Sequence, residues 1–353
     1  MDTIIRKVYT SDTWDKDLDQ AAEILKAGGL VAFPTETVYG LGADALNPEA
    51  AKKIYEAKGR PSDNPLIVHI ARQKDLDLLA EEIPDKAYRL AEVFWPGPLT
   101  MILKKKSMIP YGTTGGLDTV ALRLPAHKLA KELIARSGLY VAAPSANLSG
   151  KPSPTTAEHV INDLGGRVDM ILDGGKATLG LESTIIDLST GEPIILRPGC
   201  IKKAMMENVI GTIKIDPVIL QGKKPDENLV PKAPGMKYRH YAPEGCLTIY
   251  EGRIEKVIEA INKKSKEYLE EGKSVGIIAT IETADYYRYG VVKTIGSRND
   301  EDSIAAGLYA TLREFDEMKA EYIFTESFSD NYLGQAIMNR LLKAAGYRII
   351  KVS

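Results

Sequence analysis

The chain has 353 residues, of which 44% are hydrophobic and 27% are charged, and its formal net charge is −2. The length favours two domains, and the composition is that of an ordinary globular protein. The near-neutral balance excludes a strong overall attraction to nucleic acid or to a membrane surface, although it is compatible with a local basic pocket.

The N-terminal sequence and the cysteines indicate the cellular compartment in which the protein is expected. The sequence MDTIIRKVYTSD has no apolar signal core, and no apolar run in the chain is long enough to cross a bilayer. Cys200 and Cys246 form neither a CxxC pair nor a zinc pattern. We therefore expect a cytoplasmic location without a membrane partner, where the reducing conditions disfavour a disulfide.

The first elements form a strand–turn–helix–turn–strand unit. An amphipathic helix at residues 15–27 ends at a glycine pair, and a short apolar strand follows at 30–33. Asn47 and Pro48 are typical of a helix start, and the basic turn KGRP ends that helix before a second apolar strand at 66–70. Ligand sites of α/β folds are usually built at such strand ends.

Further elements continue this pattern to about residue 199. The expected helices lie at 86–94, 127–136 and 156–164, and the expected strands lie at 99–103, 119–124, 140–143, 170–172, 183–188 and 193–196. Glycine-rich turns separate the last three strands, which predicts antiparallel pairing among them. We expect an α/β domain over residues 1–209, with a twisted mixed sheet flanked by helices.

The composition changes after this domain. Residues 210–244 carry five prolines in a polar run, as a linker does, and include the motif APGMKYRHYAP. In residues 245–353 strands and helices alternate regularly, which predicts a small Rossmann-like domain with a parallel sheet. This part has no GxGxxG motif and no cluster of catalytic residue types, so we assign it no chemistry.

A series of short motifs runs along the chain: PTETVYGLGADA, KGRPSDNPLIVH, WPGPLT, ALRLP, APSANLSG, ESTIID, LRPG and APGMKYRHYAP. None is a Walker A loop, and SANLSG is not the GxSxG elbow of a serine hydrolase. In this order the motifs resemble the YrdC-like family of threonylcarbamoyl-AMP synthases, in the longer form with an extra C-terminal domain. The resemblance implies that the linker at 210–244 forms a lid over the nucleotide site.

The resemblance also implies an activity: formation of L-threonylcarbamoyl-AMP from L-threonine, bicarbonate (or CO2) and ATP, with release of pyrophosphate and water. The product would serve the enzymes that transfer the threonylcarbamoyl group to position 37 of tRNA. Mg²⁺ is the implied cofactor, held mainly by the triphosphate, because the sequence shows no carboxylate cage. No covalent enzyme intermediate is needed, so we assign no catalytic side chain; Lys58 and Arg60 are candidates for charge stabilisation.

Cations and linker aromatics suggest the nucleotide site. Lys58, Arg60 and Arg197 suit a triphosphate, because arginine binds phosphate oxygens bidentately. Without the resemblance, favourable charges at a helix C terminus would explain them better. The resemblance adds Asn64, Thr119, Ser145 and Ser153; Asn147 is added from its place in the SAN turn, and Tyr238 and His240 suit adenine stacking and phosphate contacts. The ATP set is Lys58, Arg60, Asn64, Thr119, Ser145, Asn147, Ser153, Arg197, Tyr238 and His240.

A second group of residues is implied for L-threonine. Arg123 ends a predicted strand, and its guanidinium suits a carboxylate. His69 lies in an apolar strand, where a histidine is more often a hydrogen-bonded core residue than a catalyst. The resemblance places Arg123 on the threonine carboxylate and His69 beside the substrate. The threonine set is Thr37, His69, Arg123, Ala143 (through its backbone) and Ser183.

Two other classes of function are compatible with parts of the sequence. One is an RNA-binding module, which would bind tRNA tightly and with a steep salt dependence; the neutral charge balance argues against it as the main role. The other is a carbamoyl-transfer enzyme of the hydrogenase-maturation type, which contains a similar domain. The chain lacks the zinc-finger cysteines and the length of those enzymes.

Overall fold

The computed structural model describes residues 2–8, 13–221, 231–237, 240–328 and 333–353. The chain divides into two compact units. The first unit comprises Met1–Ser149, Ser153–Leu220 and Pro225–Lys237, and the second comprises Gly150–Pro152, Gln221–Lys224 and Tyr238–Ser353. No helix within the described ranges is long and apolar enough to cross a membrane.

The first unit contains a mixed sheet, which has twelve strands within the described residues. The strands are β1 (Ile4–Lys7), β2 (Val31–Phe33), β3 (Gly40–Asp44), β4 (Ile67–His69), β5 (Ala80–Glu81), β6 (Leu99–Lys105), β7 (Thr119–Arg123), β8 (Val141–Ala142), β9 (Met170–Asp173), β10 (Thr184–Asp187), β11 (Ile194–Arg197) and β12 (Lys214–Ile215). Their spatial order is β1-β9-β2-β3-β8-β4-β7-β6-β10-β11-β12, and β5 pairs with β6.

Helices occupy the connections between these strands. They are α1 (Trp14–Lys26), α2 (Pro48–Lys58), α3 (Leu76–Leu79), α4 (Asp85–Phe94), α5 (Tyr111–Thr114), α6 (Lys128–Ser137), α7 (Ala157–Leu164), α8 (Lys203–Ile210) and α9 (Pro217–Gln221). Strand β12 and helix α9 therefore lie within the segment that the sequence suggested as a linker. Strand β12 is parallel to β11 at the end of the sheet.

The pairing of β9 differs from the expectation. Strand β9 lies between β1 and β2 and is parallel to both, whereas β10 is antiparallel to β11 and parallel to β6. Met170, Ile171 and Leu172 are all fully buried. A continuous buried apolar run is typical of a parallel strand with neighbours on both sides. The prediction of mutual antiparallel pairing was therefore wrong for β9 and correct for β10 with β11.

The central strands present alternate side chains to two different environments. One face joins the main core with helices α2 and α4, through Val68, Met101, Leu122 and Ile186. The other face forms a smaller apolar cluster with two residues of the segment 231–237; its members are Ile67, Ile102, Ala121, Ile185, Leu196, Ala233 and Met236. We call this second face the site face, because His69 and Arg123 follow Ile67 and Ala121 by two residues and share their side of the sheet.

Local chemistry sets both ends of helix α2. The Asn47 side chain caps the helix by accepting hydrogen bonds from the backbone N–H groups of Glu49 (3.0 Å) and Ala50 (3.3 Å). Gly59 ends it in the left-handed conformation, with φ of 59°, where glycine has no Cβ penalty. This termination carries the chain from Lys58 to Arg60 through a sharp turn and brings both cations to the turns beside β4 and β8.

The second unit is a parallel α/β domain within its described residues. Its strands are β13 (Cys246–Glu251), β14 (Val275–Ala279), β15 (Val291–Thr294), β16 (Tyr322–Glu326) and β17 (Ile349–Lys351), and its helices are α10 (Ile254–Glu270), α11 (Glu301–Glu317) and α12 (Gly334–Ala344). The order β15-β14-β16-β13-β17 contains parallel pairs throughout. The predicted fold class, a mixed-sheet α/β domain with a parallel α/β domain, is confirmed.

Candidate active site

Strand register brings the polar residues of the site face together. His69 in β4 and Arg123 in β7 are paired in register in adjacent parallel strands, so their side chains are neighbours on one face. On the other side of β6, Arg197 is paired in register with Ile185. The site face therefore presents an imidazole and two guanidinium groups from three different strands.

Arg123 is the centre of a buried polar cluster, which we call the Arg123 cluster (Arg123, Glu36 and Thr37). Arg123 is only 4% exposed. Its Nη2 forms an ion pair with Glu36 Oε1 at 2.7 Å, and its Nη1 donates to Thr37 Oγ1 at 3.0 Å. Its Nε donates to the Gly97 carbonyl at 3.3 Å. The two predicted threonine-set residues Thr37 and Arg123 are thus in direct contact.

Sequence reasoning missed Glu36, which lies between two threonines in the PTET turn. Burial raises the pKa of the Glu36 carboxyl, but the charge and hydrogen bond of Arg123 outweigh burial and hold the pKa below its ordinary value. The carboxylate is therefore charged at neutral pH. Among the described residues, its Oε2 is buried and has no hydrogen-bond partner. The signal in the sequence was an acidic residue three positions after an apolar strand.

His69 is a neutral imidazole. It is 3% exposed, and its Nδ1 lies 3.2 Å from the Ile67 carbonyl oxygen. Burial, together with the nearby charge of Arg123, lowers the pKa of His69 from 6.5 to about 3. At neutral pH one ring nitrogen is then a donor and the other an acceptor. Such a group can orient a substrate hydroxyl or amine without adding a charge.

The low pKa of His69 predicts a pH dependence of stability. The unfolded chain takes up a proton as the pH falls below about 6.5, whereas folded His69 resists protonation down to about pH 3. Stability is therefore lost as the pH falls, and this group contributes about 1.4 kcal/mol per pH unit to the free energy of unfolding in that window. Urea titrations between pH 7 and 5 should show a weaker pH dependence for His69→Asn than for the wild type.

His127 provides the comparison for this experiment. Burial also lowers the pKa of His127, though less deeply, so His127→Asn should reduce the pH dependence by a smaller amount. An equal pH dependence in wild type and His69→Asn would contradict a neutral, buried His69.

Ser183 connects the two predicted ligand sets. Arg197, which is 4% exposed, donates from Nε to the Ser183 carbonyl (3.0 Å) and from Nη2 to Ser183 Oγ (3.1 Å). Thr100 Oγ1 is 2.7 Å from the same hydroxyl. Gly199 lets this turn approach closely, since a Cβ there would lie 2.6 Å from the Thr184 nitrogen. An ATP-set arginine and a threonine-set serine are therefore bonded directly.

Lys58 and Arg60 donate to backbone carbonyls in the turns that follow β8 and precede β4. Lys58 is buried and its Nζ donates to the carbonyls of Ser145 and Asn147, which ties helix α2 to the SAN turn. Arg60 donates from Nη2 to the carbonyls of Asn64 (3.3 Å) and Pro65 (3.1 Å). The cations therefore hold the turns of the ATP set in place, whatever further contacts they make with phosphates.

The other predicted residues are distributed around this centre. Ser145 Oγ donates to Asn147 Oδ1 (2.6 Å), and Ser153 Oγ donates to Glu182 Oε1 (2.5 Å), a carboxylate that sequence reasoning also missed. The backbone N–H of Ala143 donates to the Ile67 carbonyl (2.8 Å). Thr119 begins β7, four residues from Arg123 and so about 13 Å away along the strand.

The two linker residues of the ATP set fall elsewhere. Tyr238 lies outside the described residues. His240 belongs to the second unit, where its ring centroid is 5.5 Å from that of Tyr241. Tyr241 stacks on Tyr309 at 5.2 Å. Their assignment to the nucleotide remains a prediction.

Buried guanidinium groups, hydroxyls and a neutral imidazole at the strand ends of an α/β sheet define a binding site for a small anionic substrate. Comparison with known proteins identifies the kind of protein. The model of the Sua5/YciO/YrdC family, described as telomere recombination, matches residues 23–199. A second model, described as the C-terminal domain of threonylcarbamoyl-AMP synthase, matches residues 201–346. The chain belongs to this family, in the form that carries the C-terminal domain.

Similar proteins match the chain over nearly its whole length. A threonylcarbamoyl-AMP synthase of Bacillus subtilis is 52% identical over 340 residues, which are 96% of each chain. A synthase of the same name from Schizosaccharomyces pombe is 37% identical, over 93% of this chain and 88% of that protein. The crystal structure of Pyrococcus abyssi Sua5 complexed with L-threonine has a TM-score of 0.92 and 48% identity, covering 99% of this chain and all of that one.

Proposed function

We propose that the protein is an L-threonylcarbamoyladenylate synthase. It combines L-threonine, bicarbonate or CO2, and ATP into L-threonylcarbamoyl-AMP. It releases pyrophosphate, and it also releases water when bicarbonate is the carbon source. The observation that carries the proposal is a contact between the two ligand sets: Arg197 Nη2 donates to Ser183 Oγ at 3.1 Å. Two other residues of the threonine set, Arg123 and His69, are in register on adjacent strands. Two relatives named threonylcarbamoyl-AMP synthase, which match 96% and 94% of this chain, support the same activity.

The residues of the site face have separate tasks in this reaction. The guanidinium of Arg123 binds the threonine carboxylate, and Thr37 fixes the orientation of that guanidinium through its 3.0 Å hydrogen bond. The uncharged threonine amine adds to CO2 and gives up one proton, which forms a carbamate. A carbamate oxygen then attacks the α-phosphorus while pyrophosphate leaves. Arg60 and Arg197 stabilise charge on the phosphates. Catalysis is then a matter of positioning and charge stabilisation.

The segment 231–237 supports the proposed lid. Its residues Ala233 and Met236 pack in the first unit against Ile67 and Ala121, two residues before His69 and Arg123 in their strands. Lys237 Nζ lies 3.6 Å from a carboxylate oxygen of Asp63. A segment held in this way over the site face would exclude water from the carbamate and the adenylate, both of which hydrolyse readily.

The chemistry of the product indicates which reaction must consume it. A threonylcarbamoyl-adenylate is an activated acyl donor, so an enzyme that transfers the threonylcarbamoyl group must consume it. We place that acceptor at position 37 of tRNA and the reaction in the cytoplasm. Direct tRNA binding by this chain is not part of the proposal.

Magnesium is proposed to enter with ATP. Mg²⁺ favours oxygen ligands and usually binds to substrate phosphates, waters and one or two carboxylates. Glu182 fits that pattern, since it contacts Ser153 of the ATP set. The described ranges contain no group of three or more His, Cys, Asp or Glu side chains that could hold a metal ion. When bound, the ion neutralises charge on the phosphates.

Removal of the metal should impair the reaction of ATP much more than the binding of L-threonine. Excess EDTA is expected to lower pyrophosphate release at least about 100-fold, because phosphate charge loses its counter-ion. The affinity for L-threonine should change less than about two-fold, because Arg123 supplies the cation for its carboxylate. Calorimetry with and without EDTA measures the second quantity. Loss of threonine binding on chelation would contradict this division.

The activity itself is tested by pyrophosphate release with ATP, L-threonine and bicarbonate omitted in turn. The proposal requires release that depends on all three, with L-threonylcarbamoyl-AMP as the adenylate detected by mass spectrometry. Release without threonine would indicate an ATP pyrophosphohydrolase instead. No release, combined with tight and salt-sensitive tRNA binding, would favour an RNA-binding module.

A further inference from the structure

The ion pair between Glu36 and Arg123 is buried on both sides. Glu36 is 8% exposed and Arg123 is 4% exposed, and their charged atoms are 2.7 Å apart. A buried charge requires a compensating partner, because removing it from water is costly. Any ligand carboxylate that binds Arg123 therefore competes with Glu36 for the same positive charge.

A zwitterionic substrate makes this competition informative. The threonine set contains one cation, Arg123, because His69 is neutral at pH 7. It contains no anionic side chain. An α-amino acid brings both a carboxylate and an ammonium group. If its carboxylate binds Arg123, its ammonium group still needs an anionic partner in a site with little access to water. Glu36 is the carboxylate that already contacts Arg123.

The distances favour Glu36 as that partner. The amine and carboxylate of an amino acid are attached to one carbon, so the nitrogen lies about 3 Å from a carboxylate oxygen. An amino acid bound to Arg123 through its carboxylate thus carries its nitrogen to the immediate surroundings of the guanidinium, where Glu36 also lies. Among the described residues, Glu36 Oε2 has no hydrogen-bond partner and can accept one.

The main chain at Glu36 is held by hydrogen bonds, so a change of its ion-pair partner would involve the side chain alone. Its backbone carbonyl accepts hydrogen bonds from Leu179 N–H (2.8 Å) and Thr178 Oγ1 (3.2 Å), which hold the main chain. The titratable groups that feel its charge are Arg123, His69 and His127. Burial lowers the pKa of both histidines, so Arg123 is the only permanent cation among these three.

We infer that Glu36 is a further substrate-binding residue, which exchanges its ion pair with Arg123 for one with the α-ammonium group of the bound amino acid. The substrate carboxylate then takes the place of Glu36 on the guanidinium. The site then contains two ion pairs instead of one: Arg123 with the substrate carboxylate, and Glu36 with the substrate ammonium group. Glu36 in this role selects α-amino acids over carboxylates that lack the amine. The inference rests on the proposed function, because it takes the amino acid to be L-threonine.

The test compares L-threonine with 3-hydroxybutanoate, the same molecule without its amine. Dissociation constants are measured for the full chain without ATP, by calorimetry for L-threonine and by ligand-observed NMR for 3-hydroxybutanoate. In Glu36→Gln we expect L-threonine to bind at least ten-fold more weakly, because its ammonium group loses an ionic partner. The affinity for 3-hydroxybutanoate should be unchanged or higher, because the glutamine competes less for Arg123.

Variants of the same chain keep this test decisive. Glu36→Asp retains the charge and should recover part of the threonine affinity. Asp75→Asn removes another buried carboxylate that pairs with an arginine, Arg72 at 2.9 Å, and should leave the ratio of the two affinities as it is in the wild type. Thermal unfolding by circular dichroism establishes that each variant is folded at the temperature of measurement.

Three results would overturn the inference. An equal loss of both ligands in Glu36→Gln would show that Glu36 only holds Arg123 in place. A gain for both would show that it only competes with the substrate. No change in either would exclude any role in binding. The proposed function fails differently: if wild-type protein binds L-threonine but forms no adenylate, the synthase activity is wrong and the binding comparison still decides the role of Glu36.

Discussion

Arg123→Ala is expected to lower kcat/KM for L-threonine by about 100- to 1,000-fold. The substitution removes the guanidinium that we propose to bind the substrate carboxylate, and charge-assisted contacts of a buried arginine contribute several kcal/mol. It also leaves Glu36 as a buried carboxylate without its partner at 2.7 Å. Steady-state pyrophosphate release at varied L-threonine measures the effect, which should be seen mainly as a higher KM for threonine.

Stability measurements distinguish lost binding from lost folding in this variant. Breaking the buried pair should reduce the free energy of unfolding by about 3–5 kcal/mol. The double variant Glu36→Gln/Arg123→Ala removes both charges and should recover much of that stability without recovering threonine affinity. Arg136, whose ion pairs with Asp15 and Asp19 lie at the surface, serves as the control, and Arg136→Ala should cost less than about 1 kcal/mol. Wild-type threonine affinity in Arg123→Ala would contradict the assignment.

Arg197→Ala is expected to lower kcat/KM for ATP by about 100-fold and to raise the KM for L-threonine as well. In the proposed function Arg197 supplies positive charge for the phosphates, and its two hydrogen bonds also hold the carbonyl and hydroxyl of Ser183. Loss of one charge-assisted interaction of this kind costs about 1.5–3 kcal/mol. Initial rates over a grid of ATP and L-threonine concentrations give both constants.

Ser183→Ala and Arg197→Lys test the link between the two ligand sets. Ser183→Ala removes the hydroxyl that contacts Arg197 Nη2 and Thr100 Oγ1, and should raise the KM for threonine more than the KM for ATP. Arg197→Lys keeps the charge but replaces the planar guanidinium, which donates from two separate nitrogens, with a single ammonium nitrogen, so it should recover ATP affinity only in part. Unaltered threonine kinetics in all three variants would show that Ser183 and Arg197 act independently.

Much of the fold follows from local sequence signals. Helix α2 begins after Asn47 and ends at Gly59, as the capping residues predict, because capping depends on groups a few residues apart. The parallel sheet of the second unit follows from alternation of strands and helices. The neighbours of β9 were predicted wrongly, since a short apolar strand carries little information about which distant strands it pairs with.

The residues of the candidate site were predicted from motifs, but the contacts among their side chains were not. Glu36 and Arg123 are separated by 87 residues, and Ser153 and Glu182 by 29. No local sequence rule predicts a contact between residues at either of these separations. Lys58 was expected to bind phosphate, and the structure shows that its ammonium group also links α2 to the SAN turn. These contacts depend on which strands become neighbours.

The sequence by itself determined the residue types of the site, the limits of helix α2 and the side of each strand on which a residue lies. These properties arise from interactions within a few residues and from the two-residue period of a strand. Only the tertiary structure decided that Arg123 pairs with Glu36 and that Arg197 holds Ser183. The physical reason is burial. A guanidinium removed from water needs an anion or hydrogen-bond acceptors beside it, and the tertiary fold decides which residues lie there.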